Sequence, residues 1–377
     1  MKILVAPNAF KGTIEADQAA IIIQKAIESA IPDAQTNLAP IADGGDGTCD
    51  LLASSLCVQS LEIIALNAIG KPVTGKVYFD TGKKVAYLDV STVSGIKWLE
   101  AYERDAKVTS SYGTGELIKK LSELGINHIV LGLGGSASVD MGTGILRALG
   151  FLFLDQNGRE IPQFSLGFLS RIAHIQRPPR NYKLSFTCLC DVNNYFFGEK
   201  GAIPVFGPQK GLLEDDLKEF EKGSIRVFEL LKKKSIRKLA DQPGFGAAGG
   251  IALGLSAFFP VEVFPGATYF FEQVHMEAKI KEADLVITGE GHFDAQSAAG
   301  KGPFELLQLA KKCNKKTILI TSGEEGKESG FYKVITLPAL KEGQGNIKKE
   351  AENNLEQKVK AFFKGGHSKK IECQNKN

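Results

Sequence analysis

The sequence predicts an α/β protein, and three observations predict it. The chain opens on a short apolar run at residues 2–6 (KILVA), followed by a loop at 7–13 and by Ala16, Ala19, Ala20, Ile23 and Ile27 at helical spacing. A similar alternation returns near the end, with apolar strands at 285–288, 317–321 and 334–337, a helix at 304–313 and a polar amphipathic helix reaching Phe363. Between these ends, residues 61–90 alternate apolar and polar positions, with turns at 70–72 and 81–82, the signature of a meander or hairpin. The ends resemble each other and the middle differs. The expected organisation is two α/β domains, one formed by residues 1–65 with 285–370 and the other inserted at 66–284. Residues 371–377 are expected to be a flexible tail.

In chain order, the first loop carries Lys11, which reads either as a phosphate ligand or as an ordinary surface lysine. Thr13 stands where the following helix needs an N-cap. Residues 43–48 (DGGDGT) form a compact acidic glycine turn ahead of a helix at 49–56. Asp43 and Asp46 flank glycines at a helix start and suit Mg²⁺; Asp46 suits capping equally well. An EF-hand is excluded, because its ligand spacing and its glutamate are absent. A helix then opens at Ser111 and runs to Leu124. The buried strand at 129–133 leads into GLGGSASVDMGTG (132–144) and a helix from about Thr143 to Gly150. Successive backbone N–H groups in such a Gly/Ser turn, aimed from a helix N-terminus, bind phosphate or carboxylate without a charged side chain. A tight structural turn is the alternative. The loop is neither a Walker A sequence nor a dinucleotide fingerprint.

Further along, DQNG (155–158) reads as a type I′ hairpin turn. The strand at 184–189 ends at Asp191, a candidate base, metal ligand or turn cap. FGPQKG (206–211), with Lys210, is another phosphate-friendly loop before a charged helix at 213–231, whose Lys232, Lys233 and Lys234 suit the helix dipole. The glycines of PGFGAAGG (243–250) permit either close backbone packing or the approach of a ligand. Residues 283–303 (ADLVITGEGHFDAQSAAGKGP) carry the most concentrated signal. A buried strand stops at Gly289 and then presents Glu290, Asp294 and Lys301, as suits a ligand site outside the carboxyl end of a sheet. Glycine lets a polyanion approach, the carboxylates suit Mg²⁺ and the lysine suits phosphate. A strand, a turn and solvated charges are the plain alternative.

Composition narrows the classes. With 377 residues, 43% hydrophobic and 24% charged, the chain is long enough for two globular domains. Its 46 basic and 43 acidic residues nearly balance, so there is no electrostatic case for a nucleic-acid partner. Six scattered cysteines without a C-x-x-C pair read as reduced thiols, and five separated histidines argue against a zinc site. No window approaches the roughly 18 apolar residues of a membrane helix, and the apolar run at the start is too short for a signal peptide. A cytoplasmic protein without nucleic-acid or membrane partners is expected.

Taken together, the motifs APNAFKG, ADGGDGT, SSYGTGELI, LGLGGSASVDMGTG, CDVNN, FGPQKG, PGFGAAGG and TGEGHFDAQSAAGK stand in the order and spacing of the bacterial type-1 glycerate kinase family, which the chain resembles from Lys2 to about residue 325. The resemblance implies ATP-dependent phosphorylation of D-glycerate to 2-phosphoglycerate on two α/β domains. One, inserted and flavodoxin-like, is expected to face the other across an active-site cleft. The phosphates of Mg·ATP are then expected on Gly134, Gly135, Ser136 and Ser138, with Gly289 nearby and Lys210 or Lys301 neutralising charge. Asp43, Asp46, Glu290 and Asp294 would hold Mg²⁺. Asp191 would take the hydroxyl proton, and Lys11 would hold the glycerate carboxylate. A homodimer is compatible with the family.

Some positions depart from the family pattern. Asn8 and Ala9 replace an acid and a hydroxyl, Val139 and Met141 replace Asn and Gly, and Tyr195-Phe196 stands where Asn-Pro-Leu is common. The same kinase giving 3-phosphoglycerate, one acting on another small hydroxy acid, and a non-catalytic small-acid sensor therefore remain alternatives. The GLGGSAS loop also resembles the phosphate loop of the galactokinase–homoserine kinase superfamily, whose other signature segments are absent.

Overall fold

The structure is a computed structural model that describes residues 1–293, 302–323, 325–340 and 346–367. In chain order its strands are β1 (Lys2–Val5), β2 (Gln35–Leu38), β3 (Gln59–Leu66), β4 (Pro72–Asp80), β5 (Val85–Asp89), β6 (His128–Gly132) and β7 (Leu152–Leu154). The rest are β8 (His174–Gln176), β9 (Ser185–Cys190), β10 (Val261–Pro265), β11 (Leu285–His292), β12 (Lys316–Ser322) and β13 (Lys333–Leu337). The chain divides into two compact units, one of Met1–Asp43 with Ala267–Asn377 and one of Gly44–Gly266.

The divisions therefore fall at 43/44 and 266/267 rather than at 65/66 and 284/285. Pairing is the reason. β3 runs antiparallel to β4 along its whole length, from Gln59 opposite Phe79 to Leu66 opposite Pro72. The backbone N–H of Cys49, in the helix Thr48–Leu56, donates to Asp89 at the end of β5. Both segments thus belong to the inserted unit. At the other junction, the helix Met276–Glu282 packs on β1 and leads into β11.

The terminal unit is a five-stranded sheet in the order β13-β12-β11-β1-β2. All of its pairings are parallel. Counted along this unit alone, that is the flavodoxin-like order 2-1-3-4-5. The flavodoxin-like topology thus belongs to the terminal unit and not to the inserted one. The inserted sheet has the order β10-β9-β6-β5-β4-β3. Short turns join β3 to β4 and β4 to β5, and short turns can connect only antiparallel neighbours. The remaining pairs, β5·β6, β6·β9 and β9·β10, are parallel.

Periodicity explains the helices. Ala16–Ala30 buries Ala19, Ala20, Ile23, Ala26 and Ile27 against Ile3, Val5 and Ile287. Its side-chain cap is absent: Thr13 instead donates its hydroxyl to the carbonyl of Phe10 at 2.8 Å, tightening the preceding loop. Ile347–Phe362 buries Ala351, Leu355 and Val359 one turn apart, and Asn346 caps it by accepting from the N–H of Lys349 at 3.3 Å. In the inserted unit β6 and β9 are buried on both faces, as parallel strands between helices must be.

Two local expectations resolve here. At 155–158 only Gly158 has positive φ, and its N–H bonds the carbonyl of Asp155 at 3.0 Å. The turn is therefore type I followed by a left-handed glycine, not type I′, which needs positive φ at both central residues. The glycines of PGFGAAGG serve packing. A Cβ at Gly246 would lie 2.4 Å from the carbonyl oxygen of Tyr195, and one at Gly249 would lie 2.2 Å from that of Ser138.

Candidate active site

In the terminal unit the candidate residues collect at the carboxyl ends of β1, β2 and β11. The loop after β1 is pinned to β11 by the N–H of Asn8 donating to the carbonyl of Gly289 at 2.8 Å. Gly289 is a packing position: a Cβ there would lie 2.8 Å from the carbonyl oxygen of Ile320 and 3.1 Å from the Phe10 ring. Asn8, one of the departures from the family pattern, is buried and donates its side-chain amide to Asp43 Oδ2 at 2.9 Å. An acid at position 8 would instead set two carboxylates side by side. Glu290 is buried at the end of β11, whereas Lys11 is exposed. Asp294 and Lys301 lie outside the described residues.

In the inserted unit the candidates collect at the carboxyl ends of β5, β6 and β9. The DGGDGT turn is closed by Thr48, whose hydroxyl accepts from the N–H of Gly44 at 3.0 Å and donates to the carbonyl of Gly45 at 2.9 Å. Gly44, at φ +98°, lies against the backbone of Cys190, immediately before the half-buried Asp191. The same turn abuts the glycine loop after β6. A Cβ at Gly134 would meet the backbone of Gly45 and Asp46 at 2.3–2.6 Å, so only glycine allows this approach. Asp46 accepts from the Ser91 hydroxyl and pairs with exposed Lys97 at 3.1 Å. It does not cap the helix Thr48–Leu56, because the buried Asp89 fills that place through the N–H of Cys49.

The glycine loop is held from within. Lys210 is buried, and its ammonium donates to Ser136 Oγ at 2.7 Å and to the carbonyl of Ser138 at 2.8 Å. Burial pulls its pKa down to about 7, against which the nearby Asp140 raises it. Asp140, also buried, accepts from the N–H and hydroxyl of Ser111, both at 2.8 Å, and from the N–H groups of Gly142 and Gly144, both at 3.1 Å. The Ser138 hydroxyl adds a fifth donor at 3.3 Å. The N-terminus of the helix Thr143–Ala148 therefore already holds an anion, the chain's own carboxylate. That corrects the expectation that this helix N-terminus is aimed at a ligand. The exposed Gly135 and half-buried Gly134 remain the surface tip of the loop.

Sequence reasoning missed Asp89 and Thr48 and gave Asp140 no role. Asp89 has its pKa raised to about 7, chiefly by burial, with the Cys49 N–H opposing and Asp46 adding to the rise. An aspartate closing an otherwise apolar strand (VAYLD) was the available signal. Among the described residues no group of three or more His, Cys, Asp or Glu side chains is arranged to hold a metal ion. Asp43 and Glu290 belong to the terminal unit and Asp46 to the inserted one. Among the described residues no helix is long and apolar enough to cross a membrane.

Two α/β units, one wholly parallel and one mixed, each gather carboxylates, lysines and glycine turns at the carboxyl ends of parallel strands, an arrangement that suits the binding of a small phosphorylated ligand. The comparisons specify the family. Residues 3–365 match the glycerate kinase family. A glycerate kinase of Halalkalibacterium halodurans is 32% identical over 351 residues, covering 90% of this chain and 92% of that protein. The glycerate 2-kinase of Escherichia coli K12 is 36% identical over 321 residues, 84% of each. A crystal structure provisionally named glycerate kinase 2, from Salmonella typhimurium LT2, superposes with a TM-score of 0.83 at 30% identity, covering 100% of this chain and 99% of that one. The chain belongs to the glycerate kinase family, and it is a phosphotransferase whose acceptor is an alcohol group.

Proposed function

We propose that the protein phosphorylates D-glycerate on its 2-hydroxyl with ATP as donor, releasing 2-phosphoglycerate and ADP. The observation that carries this reading is the glycine loop after β6, held by the hydrogen bonds of Asp140 and Lys210. Phosphoryl transfer demands positioning and electrostatic stabilisation more than covalent chemistry, and a rigid backbone tip supplies the first. The 36% identity to a protein named glycerate 2-kinase supports the 2-position.

In this reading the transferred phosphoryl group rests on the backbone at residues 134–136. Asp191, half-buried at the end of β9, takes the proton from the glycerate 2-hydroxyl as its oxygen bonds to the γ-phosphorus. The bond to the bridging oxygen breaks and ADP departs. Lys210 acts as a positioning residue, because its ammonium is committed to Ser136 and Ser138. Lys11, exposed after β1, offers a point charge to an anionic group. Mg²⁺ would need only one or two protein carboxylates and no preformed cage. Asp43 and Glu290, buried at strand ends, are oxygen donors of the right kind, and bound Mg²⁺ would neutralise phosphate charge.

The test is incubation with Mg·ATP and D-glycerate, with the product identified by ³¹P NMR. A 2-phosphoglycerate resonance is expected. A 3-phosphoglycerate resonance keeps the kinase and reverses the orientation of glycerate. Absence of any phosphorylated acid overturns the reading.

A further inference from the structure

We propose that a cavity in the terminal unit binds the adenosine part of the nucleotide, an assignment that rests on the kinase reading above. The cavity encloses about 630 Å³ at the carboxyl ends of β1, β11, β12 and β13. In the order β13-β12-β11-β1-β2 the chain leaves β1 toward one edge and returns as β11 on the other side. The cavity therefore spans the switch point, where the loops after two neighbouring strands part and leave a crevice.

Size and lining chemistry separate the two substrates. Cavities of roughly 300–1,000 Å³ hold drug-sized ligands, whereas a three-carbon acid would occupy a small part of this one. One wall is apolar, formed by Phe10, Ile14, Leu337, Leu340 and Ala351, and it suits the faces of a purine. Lys11, Glu290, His292 and Ser322 line the rest, a mixture that suits a nucleoside bearing phosphates better than a three-carbon acid alone. Asn354, on the facing side of the helix Ile347–Phe362, brings an amide donor and acceptor of the kind that reads a base edge.

The wall is also preformed. Phe10 and Ile14 exchange backbone hydrogen bonds at 2.8 and 3.1 Å, and the Thr13 hydroxyl holds the Phe10 carbonyl at 2.8 Å. A phosphate chain leaving the cavity has suitable company, because exposed Lys11 follows Phe10, while Gly291 and Gly323 bring bare backbone to the same rim. A second cavity, about 290 Å³ and lined by Asn127 and Lys183, opens beside the amino ends of β6 and β9, where α/β sheets do not place their ligands.

The test fills the cavity from an exposed position. Ala339 lines it and is solvent-accessible, so Ala339→Trp intrudes without disturbing the core. Calorimetric titration of the full chain with Mg·ADP should give a Kd at least tenfold weaker for Ala339→Trp. The melting temperature should be unchanged, the KM for glycerate should stay within twofold, and Ala101→Trp, an exposed control in the inserted unit, should bind like the parent. A Kd within twofold of the parent, or a loss confined to glycerate, overturns the assignment. Photolabelling of the unsubstituted protein with 8-azido-ADP gives an independent reading should Ala339→Trp fail to fold. Label within residues 9–15 or 332–363 is expected, and label confined to 44–266 overturns it. If the parent protein makes phosphoglycerate and binds ADP while these tests fail, the cavity assignment alone falls. A parent that neither binds Mg·ADP nor phosphorylates glycerate removes the kinase reading as well.

Discussion

The two units place candidate residues at the same kind of address, the carboxyl ends of parallel strands, and prepare them differently. In the inserted unit the polar groups are spent on one another: Asp140 satisfies five donors, Lys210 supports the loop, and Asp89 holds a helix N-terminus. In the terminal unit Lys11 is exposed and the strand ends border an open cavity. A closed network fixes backbone geometry, and an open cavity offers volume and charge to something that arrives. The inserted unit thus presents a backbone tip fixed from within, and the terminal unit an open cavity.

The largest effect expected is on turnover and tests placement. Asp191→Asn should lower kcat by about 10²–10⁴-fold in a steady-state assay, with the melting temperature retained. Near-normal turnover would remove Asp191 as the base. Next comes the network itself. Asp140→Ala strands five donors in the interior and should cost at least about 3 kcal/mol in a urea titration. A cost below about 1 kcal/mol would mean that the loop is held by its glycines and not by the carboxylate.

A smaller effect tests the open side. Asn8→Asp replaces a donor lying 2.9 Å from Asp43 Oδ2 with a second carboxylate. Stability should drop by about 1–3 kcal/mol at neutral pH and recover in part with millimolar Mg²⁺, read as melting temperature with and without the ion. No Mg²⁺ response would argue against cation binding at Asp43.

The smallest effect is in pH dependence, and its sign separates two buried groups of the inserted unit. Asp89 keeps its proton up to about pH 7 in the folded protein, whereas the unfolded chain releases it near ~4. The folded state binds more protons across that window, so this group makes stability fall as pH rises from about 4 to 7. Lys210 loses its proton near pH 7 when folded and near ~10.4 when unfolded. There the unfolded state binds more protons, so stability rises with pH from about 7 to 10. Denaturant titrations across pH should show Asp89→Asn flattening the falling limb and Lys210→Met the rising one. A variant with the parent's slopes would rule out its group.

Much of the fold was legible because each signal was local. Alanines and isoleucines at helical spacing in residues 16–30, the apolar runs of β1, β11 and β12, and the alternation of residues 61–90 each report on a single element. The two divisions between the units were not legible. They depend on which strand β3 joins and on Asp89 reaching the N–H of Cys49, forty residues away along the chain. The flavodoxin-like order was likewise hidden, since it needs β11 to be placed beside β1 across an insertion.

The candidate site shows the same division. The phosphotransferase came from the resemblance of the motifs, in their order and spacing, to the glycerate kinase family; each glycine turn, acid or lysine taken alone left a plain structural alternative open. Whether a given group faces a ligand or another part of the chain was decided only in three dimensions. Lys210 reads as a loop lysine in FGPQKG and proves to be buried under Ser136 and Ser138, and the glycines of PGFGAAGG, open to either reading, prove to be packing contacts, with backbone at Gly246 and Gly249 and with side chains at Gly244 and Gly250. Residue identity determines what a group can do, and long-range packing determines what surrounds it. Burial, hydrogen-bond partners and charge depend on those surroundings, which no local stretch of sequence contains.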